Sequence, residues 1–108
     1  MIKIDNRQDL DLELKKNEHV LALFYSTWCP YCVRSVPNLV KKAESLGFKS
    51  IIHVILDDYD NQLWDDFDVP AVPTAIYFEN GKVSKRLNGK LGSGLREEKF
   101  RVWIEELK

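Results

Sequence analysis

The chain has 108 residues, of which 44% are hydrophobic, so it is long enough for one domain with one buried core. A formal net charge of −1 gives no overall field that would attract nucleic acid or an anionic membrane. No apolar run approaches the ~18 residues that a membrane-spanning helix needs, and residues 1–5 lack the apolar centre of a signal peptide. We therefore expect a single domain over residues 1–108, a cytoplasmic location, and neither nucleic-acid nor membrane partners.

Hydrophobic periodicity predicts five elements in the first half of the chain. A short edge strand at residues 2–4 is followed by an amphipathic helix at residues 7–17. A buried strand at residues 20–25, a long helix from residue 29 or 30 to residue 46, and a second buried strand at residues 51–56 complete this half. The two buried strands are almost continuously apolar, which is typical of parallel strands that are covered on both faces. Gly47 is a suitable stop for the long helix.

The second half of the chain begins with an acidic segment, residues 60–67, which predicts a short helix or turn. Two strands, at residues 74–78 and 82–87, then flank Asn80-Gly81, the strongest short signal for a β-hairpin. A C-terminal amphipathic helix follows, with a start through Gly92-Ser93-Gly94. The resulting order βαβαβαββα predicts a three-layer α/β domain with a mixed central sheet.

The two cysteines of the chain, Cys29 and Cys32, lie three positions apart where a strand ends and a helix begins. Unpaired backbone N–H groups and the positive end of the helix dipole favour a thiolate at that point. Pro30 suits the first helical turn, because its missing N–H is not needed there. The second thiol, one turn further along, can attack a mixed disulfide that forms at the first. This pattern is typical of a reversible dithiol/disulfide centre.

An inert disulfide and a metal site are the two other uses of such a pair. A zinc site needs about four ligands, and only His19 and His53 remain, far from the usual close spacing. A disulfide that closes so short a loop constrains the unfolded chain little. We therefore expect no metal and no cofactor other than the redox-active disulfide Cys29–Cys32. His53 alternates inside a buried strand, a pattern typical of a hydrogen-bonded core histidine.

The element order and the CxxC at a helix start resemble the thioredoxin superfamily over essentially the whole chain, which implies the thioredoxin fold. Three other features match by position. Pro37 lies five residues after Cys32, where the family has a proline inside the active-site helix. Val72-Pro73-Thr74 resembles the family's cis-proline loop, and Gly89 matches a glycine that lets substrate approach.

The resemblance implies a protein-disulfide oxidoreductase of thioredoxin type. Cys29 is then the nucleophile that attacks a substrate disulfide, and Cys32 resolves the resulting mixed disulfide. An extended substrate segment pairs with the backbone beside Pro73 by strand addition. The implied partners of a monomeric protein are disulfide-containing protein substrates and, as electron donor, a thioredoxin reductase or a low-molecular-weight thiol. The supporting residues are Trp28, Pro30, Tyr31 and Pro73, and the substrate-binding residues are Val72, Thr74 and Gly89.

Departures from the thioredoxin pattern concern the surroundings of the cysteines. Thioredoxins carry a buried Asp six residues before the first cysteine, and often a Lys facing it on the next strand; the matching positions here are Leu23 and Val54. Loss of both partners leaves no unpaired buried charge, but it removes the base for Cys32. The dipeptide Pro30-Tyr31 is typical of glutaredoxins, so a glutathione-dependent, glutaredoxin-like enzyme is an alternative. A non-catalytic adaptor that uses only the cis-proline groove is another, which the intact CxxC disfavours.

Residues 50–81 contain seven acidic side chains and neither Lys nor Arg. A solvated acidic helix is the ordinary interpretation of such a run. The functional interpretation is a negative rim beside the active site, which disfavours the anionic glutathione. Trp28 also has two interpretations, either a surface residue that contacts substrate or an aromatic ring packed under the acidic loop.

Overall fold

The computed structural model describes residues 2–90 and 94–107. Within these ranges four helices and five strands follow one another in the predicted order βαβαβαββα. They are β1 (Ile2–Ile4), α1 (Arg7–Lys16), β2 (His19–Tyr25), α2 (Pro30–Ser45), β3 (Ile51–Ile55), α3 (Leu63–Asp66), β4 (Thr74–Glu79), β5 (Lys82–Leu87) and α4 (Glu97–Glu106). The predicted start of the last helix through Gly92 and Ser93 lies outside the described residues. None of the described helices is long and apolar enough to cross a bilayer.

The strands form one mixed sheet in the order β1-β3-β2-β4-β5. β3 runs parallel to both β1 and β2, whereas β4 is antiparallel to both β2 and β5. β2 is therefore the central strand, and its residues from Val20 to Phe24 are buried. A strand covered on both faces requires such a continuous apolar sequence, so the prediction of a buried strand here is confirmed.

Helices cover both faces of the sheet. On one face, the ring centroids of Phe24 and Phe67 are 5.4 Å apart, and the guanidinium of Arg7 in α1 lies 4.9 Å from the centre of the Phe67 ring. On the other face, α2 packs beside α4, and Glu44 of α2 lines a cavity together with His53 of β3. The predicted α/β/α layering is therefore confirmed.

The hairpin between β4 and β5 follows the predicted Asn80-Gly81 signal. Both residues have positive φ, 52° for Asn80 and 80° for Gly81, as the tight turn that matches the twist of the strands requires. Glu79 and Lys82 pair directly across this turn. The turn fixes β5 as an edge strand, from whose end the chain runs on to Gly89 in the functional site.

The register between β2 and β3 corrects one pairing expected from the sequence. Leu23 is level with His53, and Val54 is level with Phe24. Because side chains alternate between the faces of a strand, a shift of one residue places Val54 on the opposite face from Leu23. The expectation that Leu23 and Val54 face each other is therefore wrong. The residue beside Leu23 is a buried histidine.

Candidate active site

Cys29 stands at the start of α2, where the sequence predicts it. It is the N-cap residue, with an extended backbone (φ −82°, ψ 119°), and Pro30 follows in the first turn. Ser26 holds the preceding turn, because its buried Oγ donates to the Leu56 carbonyl over 2.7 Å. The Cys29 carbonyl accepts a helical hydrogen bond from the Val33 N–H at 3.0 Å. The strand, turn and helix thus place Cys29 at the positive end of α2.

Both thiols are free and largely covered by protein. Cys29 is 5% exposed and Cys32 is 1% exposed, so Cys29 is the outer of the two. Burial raises the pKa of the Cys32 thiol to about 12; the Cys29 thiol and the Asp57 carboxylate add to this rise, while a backbone hydrogen bond at Ser26 opposes it. Cys32 therefore keeps its proton at neutral pH until a base accepts it. In the described ranges, no cluster of three His, Cys, Asp or Glu side chains forms a metal site.

The cis-proline loop lies against Cys29. The Val72–Pro73 peptide bond is cis, as the resemblance predicts, and the Val72 carbonyl oxygen lies 3.8 Å from Cys29 Sγ. Thr74 is buried and closes the loop, since its Oγ1 donates to the Ala71 carbonyl at 2.6 Å. Of the residues expected to bind substrate, Val72 borders a groove beside Cys29, whereas Thr74 supports the loop from within the protein.

Gly89 packs on the cis-proline loop itself. Its N–H donates to Thr74 Oγ1 at 3.0 Å, and a Cβ at this position would lie 2.3 Å from the Pro73 carbonyl oxygen. A backbone this close to another backbone leaves room only for glycine. The resemblance predicts a glycine that admits substrate; in the structure, the backbone of Pro73 occupies the space that the missing side chain leaves.

Gly94 is a site residue that the sequence patterns do not single out. Its φ is +69°, and a Cβ there would lie 2.8 Å from Tyr31 Cβ. The backbones of Gly94 and Lys90 exchange hydrogen bonds of 2.8 and 2.9 Å, so the two residues are held together next to Tyr31. In the sequence, Gly94 belongs to a run that precedes a helix, and its contact with Tyr31 is too distant along the chain for local patterns to reveal.

An apolar groove of about 440 Å³ opens beside Cys29. Its lining includes Trp28, Tyr31, Tyr59, Trp64 and Val72. Trp28 is 48% and Tyr59 is 79% exposed, and their ring centroids are 5.4 Å apart. We call this pair of exposed rings the aromatic wall; it supports the interpretation of Trp28 as a substrate-contacting residue. No periodicity marks Tyr59 in the sequence, because it is a single tyrosine in an acidic loop.

In the structure the acidic segment is taken from Asp57, as residues 57–67, and its first residues are tied to this wall. Both carboxylate oxygens of Asp57 accept hydrogen bonds of 2.7 Å from Thr27, one from its N–H and one from its hydroxyl. The Trp28 indole donates to the Asp57 carbonyl at 2.9 Å, and the Trp64 indole donates to the Asp58 carbonyl at 3.0 Å. The segment therefore supports the aromatic rings and at the same time places negative charge near the groove.

A largely buried tyrosine–histidine pair lies on the sheet beside Leu23. Tyr25 Oη and His53 Nδ1 are 2.8 Å apart, and the rings meet edge to face with their centroids 5.5 Å apart. In the described part of the chain, His53 Nε2 is the one buried side-chain nitrogen or oxygen without a hydrogen-bond partner. Burial lowers the pKa of His53, and the charge of Lys3 lowers it further, while Glu44 opposes the shift. The expected hydrogen bonding of this core histidine is thus only half complete.

Comparisons with known proteins agree with the site. The sequence model of the family described as Thioredoxin matches residues 1–105. The chain belongs to the thioredoxin family. The chloroplastic thioredoxin Y of Oryza sativa subsp. japonica is 36% identical over 77 residues, which are 71% of this chain and 46% of that protein. Protein disulfide-isomerase A5 of Bos taurus is 33% identical over 86 residues, which are 76% of this chain and 16% of that protein.

A solved structure of Plasmodium falciparum thioredoxin superposes on this chain with a TM-score of 0.80 at 20% identity, and the match covers 100% of both chains. The thioredoxin fold implied by the CxxC and the cis-proline loop is therefore confirmed. The chain spans less than half the length of the two curated relatives, at 46% and 16% of their residues.

One position sets this thioredoxin-family site apart from the pattern of its family. Leu23, where thioredoxins carry a buried carboxylate, is an apolar residue with 0% exposure. Cys32 consequently has no carboxylate at that position to take its proton. Two other groups interact electrostatically with Cys32. The charge of Cys32 raises the pKa of Tyr25, and the charge of Asp57 raises the pKa of Cys32.

Proposed function

We propose that this protein is a thiol–disulfide oxidoreductase of thioredoxin type that reduces or exchanges disulfides in protein substrates. The observation that carries the proposal is the position of Cys29, at the N-cap of α2 and 3.8 Å from the Val72 carbonyl of the cis-proline loop. A helix N-terminus stabilises a thiolate, which is the attacking species in disulfide exchange. Membership of the thioredoxin family supports the same chemistry.

The reaction comprises two exchange steps. In the first, the Cys29 thiolate attacks a substrate disulfide; a bond forms between Cys29 and one substrate sulfur, and the other sulfur leaves as a thiolate. In the second, Cys32 loses its proton and attacks Cys29 Sγ; the Cys29–Cys32 bond forms, and the second substrate sulfur leaves. The substrate gains two electrons and the protein keeps a disulfide. Because burial raises the pKa of Cys32, the second step requires a proton acceptor.

The groove beside Cys29 supports binding of an extended protein segment. A segment that places its cysteine at Cys29 would run along Val72 and pair with the backbone of the cis-proline loop by strand addition. Backbone pairing depends little on the side chains of the substrate, so we expect the protein to accept many protein substrates. The aromatic wall, Trp28 and Tyr59, adds apolar contact on the side of the acidic segment.

The oxidised protein must regain two electrons from a partner. We propose a thioredoxin reductase as this donor, with a low-molecular-weight thiol such as glutathione as the alternative that Pro30-Tyr31 favours. Negative charge near the groove, which includes Asp57 and Asp58, disfavours an anionic tripeptide. The monomeric state, the single domain and the cytoplasmic location stay predictions.

Insulin reduction by dithiothreitol tests the activity. We expect the wild-type protein to accelerate the appearance of turbidity and Cys29→Ser to remove the acceleration entirely. We expect Cys32→Ser to accumulate mixed disulfides with insulin, because the resolving thiol is absent. Equal turbidity rates with wild type and Cys29→Ser would contradict the oxidoreductase and favour the binding adaptor.

A recycling assay distinguishes the two electron donors. The protein and oxidised insulin are combined either with NADPH and thioredoxin reductase or with NADPH, glutathione and glutathione reductase. We expect NADPH consumption that depends on this protein in the first mixture. Consumption in the second mixture alone would assign the protein to the glutaredoxin-like alternative.

A further inference from the structure

Cys32 must lose its proton before it can attack the mixed disulfide. This thiol is 1% exposed, and burial raises its pKa to about 12, so water reaches it poorly and the proton does not leave unaided at neutral pH. Leu23, which is buried at the position where thioredoxins carry a carboxylate, has no group to accept a proton. Resolution of a mixed disulfide therefore requires another acceptor near Cys32.

His53 is a buried base that the proposed mechanism leaves unused. It is 2% exposed, it lies level with Leu23 on the neighbouring strand, and its Nε2 has no partner among the described residues. A buried polar atom without a hydrogen bond lowers the stability of the folded protein. A leucine at this position would avoid that cost, so packing alone does not account for the imidazole.

Tyr25 contacts His53 and lies near Cys32. Its Oη lies 2.8 Å from His53 Nδ1. Tyr25 also directly precedes Ser26, whose backbone hydrogen-bonds the Cys32 thiol. Burial raises the pKa of Tyr25, and the charges of Cys32 and Asp57 raise it further, which places Cys32 within electrostatic reach of the phenol. The phenol therefore combines an electrostatic interaction with Cys32 and a hydrogen bond with the buried imidazole of His53.

We propose that Tyr25 and His53 act together as the proton acceptor for Cys32 during resolution of the mixed disulfide. The proposal rests on the thiol–disulfide exchange proposed above. As Cys32 Sγ attacks Cys29 Sγ and the substrate sulfur leaves, the Cys32 proton passes to Tyr25 Oη. The Tyr25 hydroxyl proton passes to His53 Nδ1 at the same time, so the phenol stays neutral and the imidazole becomes a cation.

The surroundings of His53 allow it to accept and then release this proton. Burial, the largest effect, lowers the pKa of His53; the charges of Lys3 on β1 and of the N-terminal amine lower it further, and the charge of Glu44 on α2 raises it. His53 is consequently neutral at neutral pH, as an acceptor must be. It also lines a cavity of about 350 Å³ together with Glu44, through which the transferred proton leaves for solvent.

Asp57 is the competing acceptor, since its charge also acts on Cys32. Both of its carboxylate oxygens, however, accept hydrogen bonds of 2.7 Å from Thr27. These two bonds occupy the carboxylate oxygens that would take the proton. The tyrosine–histidine pair, whose phenol oxygen lies 2.8 Å from the accepting Nδ1, is the better candidate.

Stopped-flow reaction of the reduced protein with an aromatic disulfide that releases thionitrobenzoate separates the two steps. The first release reports attack by Cys29, and the second reports resolution by Cys32. We expect Tyr25→Phe and His53→Gln to slow the second release about tenfold or more near neutral pH and to move its pH dependence to higher pH, with the first release unchanged. The matched control is Tyr77→Phe, which removes a similar bond, 3.0 Å between Tyr77 Oη and His19 Nδ1, and should change neither release.

A purely structural role of the pair would alter stability without moving the pH dependence of the second release. If His53→Gln fails to fold, Tyr25→Phe alone tests the proposal, because this variant removes a single oxygen from a half-buried ring. A second release in Tyr25→Phe that equals wild type at every pH would overturn the proposal. A slower second release in Asp57→Asn, with no change in Tyr25→Phe and His53→Gln, would also overturn it. Absence of both releases in the wild type would instead contradict the proposed function.

Discussion

At the scale of single residues, the sheet carries Leu23 and His53 level with each other in adjacent strands. A carboxylate held in this apolar layer would need a partner to offset the loss of hydration. A neutral imidazole loses much less hydration on burial, because it carries no charge until it accepts a proton. The pair of Leu23 and His53 therefore avoids a permanent buried charge and still leaves a base in the core.

The lowered pKa of His53 predicts a stability change on the acid side. The ordinary histidine value is 6.5, and burial lowers the pKa of His53 in the folded protein. Below pH 6.5 the unfolded chain therefore binds a proton that the folded chain does not, and the free energy of unfolding falls as the pH is lowered further. Urea unfolding between about pH 7 and about pH 5 should show this decrease.

Two variants isolate the contribution of His53 from that of the carboxylates. His53→Gln should flatten the profile below about pH 6.5, since the titrating group is gone. His19→Gln replaces the other histidine, which lies on the surface with 58% of its side chain exposed, and should leave the decrease in place. A decrease that is the same in all three proteins would show that His53 does not cause it.

The raised pKa of Cys32 predicts the opposite behaviour in alkali. In the reduced folded protein the thiol keeps its proton up to about pH 12, whereas the ordinary value is 9.0. As the pH rises above 9.0, the unfolded chain loses a proton that the folded chain keeps, so the free energy of unfolding decreases. Burial raises the pKa of Tyr25 and Tyr77 as well, and both tyrosines act in the same direction.

Comparison with Cys32→Ser separates the thiol from the tyrosines. Urea unfolding in the presence of a reductant should show a steeper alkaline decrease for wild type than for Cys32→Ser, because only wild type carries the buried thiol. Parallel profiles for the two proteins would mean that the folded environment does not retain the Cys32 proton.

At the scale of elements, Gly94, between β5 and α4, makes a close contact with the active site. A Cβ at Gly94 would lie 2.8 Å from Tyr31 Cβ, whereas a Cβ at Gly81 would meet nothing within 4 Å among the described atoms. Both glycines have positive φ, +69° and +80°. Gly81→Ala should therefore cost about 1–2 kcal/mol of stability for the backbone conformation alone, and Gly94→Ala about 1–3 kcal/mol more for the displaced side chain.

Thermal or urea unfolding of the two variants measures this difference, and insulin reduction shows its functional effect. Gly94→Ala should lower the rate of insulin reduction because Tyr31, inside the CxxC motif, must move. Gly81→Ala should keep the wild-type rate, because the turn lies at the far end of β4 from the cis-proline loop. Equal losses of stability in both variants would show that Tyr31 yields to the added methyl group without strain.

The elements themselves were largely predictable, because their signals are local. The apolar run of β2 and the Asn80-Gly81 turn each specify a structure within a few residues. The register of β2 against β3 was not predictable, since sequence separation alone does not say which residues become level, and an error of one residue placed Val54 opposite Leu23. The cis-proline loop was found through the family resemblance, as an isolated X–Pro bond is cis in only ~5–6% of cases.

At the scale of the whole molecule, the groove is assembled from segments that are far apart in the sequence. The start of α2 supplies Trp28 and Cys29, the acidic segment supplies Tyr59, and the cis-proline loop supplies Val72. The sequence located the first and last of these through the CxxC and the Val-Pro-Thr run. Tyr59 was missed, because it contributes to the site only after the acidic segment is tied to Thr27 by Asp57.

The aromatic wall predicts that Tyr59 contributes to binding of protein substrates and little to stability. Tyr59 is 79% exposed, and its ring centroid lies 5.4 Å from that of Trp28. Tyr59→Ala should therefore leave the free energy of unfolding nearly unchanged, and should lower kcat/KM for insulin by about three- to tenfold through loss of buried aromatic area. A small aromatic disulfide, which reaches Cys29 without lying along the wall, should react at the wild-type rate. As a control, Leu12→Ala removes an exposed apolar side chain of α1, 51% exposed, and should change the rate with neither substrate. If Tyr59→Ala lowers the rate equally for insulin and for the small disulfide, Tyr59 acts in the chemistry of Cys29 instead of in substrate binding.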